Sequence, residues 1–74
     1  MKYSLALIDD RNSTSKNFKS DNYDELEHTM IVSVIRNVDF TYGEICLSND
    51  TDVAISYAKN RKLFWCGYEG QFSH

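Results

Sequence analysis

The sequence predicts an α+β domain in the order β-α-β-β-β, with one helix packed on a mostly antiparallel sheet. Three observations carry that expectation. Residues 20–37 hold an amphipathic stripe at helical spacing, residues 3–9 alternate with period two, and three further alternating segments follow residue 38, divided by turn-forming residues. The chain is expected to be a single domain, 1–74, near the lower size limit for a core that forms unaided. An aromatic content of 14% supplies the large side chains that let so short a chain bury enough area.

The first element is YSLALID, residues 3–9, with Tyr3, Leu5 and Leu7 on one side of a strand. Residues 9–22 are polar apart from Phe18, and they read as a long mobile loop at about 10–21. In the helix, Asn22 and Glu25 have capping-box spacing, and Asp21, Asp24, Glu25 and Glu27 place negative charge at the positive end of the dipole. Tyr23, Leu26, Met30 and Val34 form its buried stripe. Asn37 is the expected left-handed stop. The β-branched run at 30–35 also suits a strand, so this stretch leaves helix and strand both open.

From Val38 the parity of the apolar residues matters. Val38, Phe40 and Tyr42 are even and Ile45 and Leu47 odd, which predicts a bulge at Gly43-Glu44. Val53, Ile55 and Tyr57 continue the odd pattern. Pairing Leu47 with Val53 and Tyr57 with Leu63 leaves three-residue loops at 49–51 and 59–61. Ile45, Ile55 and Trp65 then form one row beneath the helix. The even residues, Glu44, Cys46, Ala54, Ser56, Ala58, Phe64, Cys66 and Tyr68, turn to the opposite face, which no other segment of the chain obviously covers. An apolar plane of this kind either marks an interface or is closed from within, by the loop at 10–22 with Phe18 or by the tail QFSH. The first strand is expected to join this sheet beside a neighbour to which it can run parallel.

The same register sets Cys46 and Cys66 two strand spacings apart, roughly 9.5 Å. Disulfide partners need Cα atoms within about 7 Å, so reduced thiols are expected, in keeping with a cytoplasmic protein. No C-x-x-C or H-x-x-x-H spacing unites Cys46, Cys66, His28 and His74, so neither a metal nor another cofactor is expected. Phosphate-cradling, nucleophile-elbow and zincin motifs are missing from the sequence, and Asp9-Asp10 reads as a polar strand end; the chain is read as non-enzymatic. Neither a membrane span nor a signal-peptide pattern is present.

Charge is distributed unevenly. The net value of −3 combines +2 over residues 1–19, −7 over 20–52 and +2 over 53–74. This balance disfavours a uniformly basic nucleic-acid binder. Lys59, Arg61 and Lys62 nevertheless gather three of eight cations at one hairpin tip, beside Tyr57, Phe64 and Tyr68. Those six residues are the expected partner-binding set.

The stretch GEICLSNDTDVAISYAKNRKLFW, residues 43–65, resembles the β-meander of small phage-encoded anti-CRISPR proteins. It has a glycine before the strand, a polar turn, an aromatic-bearing strand, a lysine-rich turn and then a tryptophan. The resemblance implies a viral inhibitor that blocks a host protein or ribonucleoprotein complex in the host cytoplasm without catalysis. The residues by themselves leave two alternatives: a nucleic-acid-binding regulator that uses the basic tip, and a homodimeric interaction module.

Overall fold

In a computed structural model that describes residues 2–66, the side chains of 50–53 excepted, one antiparallel sheet carries one helical layer. The chain enters through β1 (Tyr3–Asp9), turns, and returns along it as β2 (Thr14–Ser20). Helix α1 (Tyr23–Met30) and a π-helical extension, Ile31–Arg36, then cross the sheet. Strands β3 (Tyr42–Leu47), β4 (Asp50–Lys59) and β5 (Lys62–Trp65) complete the order β2-β1-β3-β4-β5.

The helix begins where the sequence predicts. Asn22 is extended, and its side-chain oxygen accepts from the Glu25 backbone N–H at 3.4 Å. Leu26, Met30 and Val34 are buried, with Tyr23 packed against the same core. The open question at 30–35 resolves as helix. Its backbone widens to π spacing, and the Asn37 N–H bonds to the Val32 carbonyl. Below this stripe lie Leu5, Leu7, Ile45 and Ala58 from three strands.

Gly43 fixes how closely the layers approach. A methyl group there would lie 2.8 Å from Met30 Cγ and 3.1 Å from Leu7 Cδ2. Its cross-strand partner is Ala58, fully buried, so two small residues form the seat for Met30.

The α+β class with one helix on an antiparallel sheet stands, and several details differ. Residues 14–20, expected within a mobile loop, form edge strand β2. Solvent reaches nearly all of this strand, so no apolar period marks it; only Phe18, opposite Leu5, records the inward side. Strand β1 is antiparallel to both neighbours. Asn37 stays right-handed, and the residue with positive φ is Val38, at 53°.

The register of the meander also shifts. Strand β3 runs regularly through Gly43 and Glu44, and the register shifts twice further on: between Ile45 and Cys46, with Ile55 as the extra residue of β4, and between Cys46 and Leu47. Leu47 pairs with Asp50 rather than Val53. Lys59 pairs with Lys62, so the second turn has two central residues, Asn60 and Arg61, and Tyr57 faces Phe64 instead of Leu63. Both turn residues have positive φ, 53° and 62°, the type I′ geometry that matches strand twist.

Candidate binding face

Cross-strand pairing sorts the side chains into rows. On the helix side run Phe18, Leu5, Ile45, Ser56 and Trp65, and next to them Lys16, Leu7, Gly43, Ala58 and Leu63. Ser56 and Ala58, expected on the opposite face, therefore lie under the helix. Tyr57, expected beneath the helix, points away from it. The bulge at Ile55 inverts the parity of β4, which explains both corrections.

Burial of Ser56 requires a polar partner, and the Tyr23 hydroxyl supplies it by hydrogen bonding to Ser56 Oγ. The Tyr23 ring stacks on Trp65 with centroids 5.8 Å apart and meets Tyr3 edge-on at 5.7 Å. Burial is the main cause that pushes the Tyr23 phenol well above its ordinary range. These groups hold the helical layer in place.

The other face carries different chemistry. One row runs Ser15, Ile8, Tyr42, Lys59 and Lys62, and its neighbour runs Asn17, Ala6, Glu44, Tyr57 and Phe64. Tyr57 and Phe64 stack with centroids 5.0 Å apart and planes 17° from parallel, and Tyr42 joins Tyr57 at 6.1 Å. Three rings thus make a ladder across β3, β4 and β5. Phe64 is 37% exposed and Ile8 36%. No described helix or strand packs on this side.

Glu44 anchors the ladder. Its carboxylate accepts from the Tyr42 hydroxyl at 2.9 Å and from the Cys46 thiol at 3.3 Å. Burial, then the hydrogen bond to Glu44, raises the Tyr42 phenol. Burial and the Glu44 charge also raise the Cys66 thiol. Cys46 and Cys66 are both reduced, the first buried and the second exposed. Cys46 pairs with Ala54 as expected, and the Cys66 N–H bonds to the Ile55 carbonyl.

At one end of the ladder a half-open cleft of about 390 Å³ is lined by Ile8, Asp10, Thr41, Tyr42, Lys59 and Asn60. No signal in the sequence points to it, because its walls come from three separated segments. Asp9 is not part of it. Its carboxylate accepts from the Arg11 backbone N–H, Arg11 Nε and Asn12 Nδ2, at 3.1, 3.0 and 2.8 Å. Arg11 in turn donates to the Val38 carbonyl at 2.7 Å and ties the hairpin to the connection after the helix. No group of three or more His, Cys, Asp or Glu side chains suited to a metal occurs among the described residues.

Of the six expected partner-binding residues, Tyr57, Lys59, Lys62 and Phe64 converge on this face. Arg61 occupies the exposed turn. Tyr68 lies outside the described residues. None of Lys59, Arg61 and Lys62 takes part in an ion pair among the described residues. No described helix is long and apolar enough to cross a membrane. No protein-family model, curated protein or solved structure matches the chain.

Proposed function

We propose that the protein is a non-enzymatic inhibitor or adaptor, of the kind phages and other mobile elements encode, that docks on a host protein or ribonucleoprotein complex. The observation that supports this reading is the aromatic ladder Tyr42–Tyr57–Phe64 beside Lys59 and Lys62, on a face that no described element covers. Partially exposed rings flanked by cations suit recognition, since rings give contact area at low entropic cost and cations steer the encounter. Asp9 and Ser56, the buried polar residues of the core, are engaged in holding the fold.

The anti-CRISPR resemblance makes this reading specific. Expression in a bacterium whose CRISPR system targets a phage should restore plaque formation, and the purified chain should form a stoichiometric complex with the interference machinery. Lys59→Glu with Lys62→Glu should abolish both effects while the variant still folds. Unchanged phage restriction, together with no complex formed by the intact chain, would overturn the proposal.

A further inference from the structure

The fold separates charge in a way the linear sequence hides. Asp21, Asp24, Glu25 and Glu27 all sit at the start of the helical layer. Among the described side chains, the opposite sheet face presents Lys19, Lys59 and Lys62 against Glu44 and, in the cleft, Asp10. Glu44 is occupied, since Tyr42 and Cys46 both donate to it. An acidic protein therefore has a locally cationic face, and this face also carries the ring ladder and the cleft.

We infer that this face binds single-stranded nucleic acid, with one nucleotide in the cleft beside Tyr42 and Lys59 and a neighbour stacked on the open side of Phe64, since Tyr57 lies between the two end rings. The inference rests on the reading that this face is the contact surface, and it names the chemistry of what is contacted. Two independent features favour a nucleic-acid strand over an acidic protein surface. Carboxylates would use the lysines but not stack on the end rings of the ladder, whereas a strand offers phosphates to the first and bases to the second. The cleft volume of about 390 Å³ lies at the lower end of the ~300–1,000 Å³ range of small-ligand sites. Its lining combines a ring face, a cation, an amide and a carboxylate, the groups that stack a base, hold a phosphate and bond base edges.

The test measures fluorescence anisotropy of the full chain with labelled decathymidylate and decauridylate. Each phosphate neutralised on a single strand contributes a slope of about −0.7 in log K against log salt. Two or three contacts from Lys59, Lys62 and Arg61 should weaken binding about 7- to 18-fold between about 50 mM and about 200 mM salt. Lys59→Gln with Lys62→Gln should flatten that slope by about 1.4. Phe64→Ala should lose roughly 5- to 150-fold in affinity, the range for removing one stacked ring.

Phe64→Leu keeps the apolar volume without the ring, so it reports stacking even if the alanine variant fails to fold. The charge-matched Lys16→Gln with Arg36→Gln, on the helix side and at the helix end, should bind as the parent does. No binding of either oligonucleotide at about 50 mM salt would overturn the inference. So would binding that every variant retains, or capture of polyglutamate as tight as that of the oligonucleotides, which would assign the face to acidic proteins. Oligonucleotide binding without any host complex would leave this inference standing and remove only the inhibitor reading; a host complex without oligonucleotide binding would do the reverse.

Discussion

Arg61 occupies a backbone position that suits glycine. Its φ of 62° follows the 53° of Asn60, and an L-residue with a Cβ is strained there by about 1 kcal/mol. Arg61→Gly creates the Asn-Gly pair that type I′ turns favour, and it should raise stability by about 0.5–1 kcal/mol in urea unfolding. An unchanged or lowered midpoint would show that the turn is not strained. Because the substitution also deletes a cation, any binding loss that accompanies a gain in stability isolates the charge. Asp9 makes a second argument at this scale. Hydrogen bonds from Arg11 and Asn12 outweigh desolvation and hold its carboxyl below the ordinary 3.8. A lowered native value means the added stability is complete above about pH 4 and disappears as pH falls through the native value. Asp9→Asn should therefore flatten the acid limb of urea midpoints recorded from about pH 2 to about pH 7. Parallel curves for parent and variant would refute the assignment.

At the scale of elements, the contact between α1 and β3 depends on missing atoms. Met30 enters the space above Gly43 and Ala58, so Gly43→Ala must displace Met30 or move the helix. Overpacking of this kind costs about 1–3 kcal/mol, and the cost should shrink in a Met30→Ala background, where the methyl has room. Equal penalties in both backgrounds would remove the steric explanation. The helix itself was legible because its cap and stripe are local: Asn22, Leu26, Met30 and Val34 stand where spacing puts them. Strand β2 was not legible, since an edge exposed on both sides needs no apolar alternation. The meander was half legible for an instructive reason. An extra residue at Ile55 and a turn one residue shorter than expected are opposite shifts, and they cancel in β5. Leu63 and Phe64 therefore point where alternation predicts, while Tyr57, Ser56 and Ala58 between the two irregularities are inverted.

For the molecule as a whole, that inversion decides what the side left open among the described residues can do. The expected strip of small side chains at 54, 56 and 58 would have left a smooth apolar plane suited to a second copy. With Ser56 and Ala58 turned inward, Tyr57 instead joins Tyr42 and Phe64 next to Lys59 and Lys62. The basic tip was readable as composition, but its continuity with a ring ladder is a product of register, and the cleft exists only once three segments meet. The stacking of Trp65 on Tyr23 has a practical corollary. The chain's single indole, half exposed, belongs to the contact between layers, on the side away from the ladder. Its emission is accordingly a gauge of whether the helix remains seated, and the phenol and phenyl rings opposite are left as separate reporters of whatever arrives there.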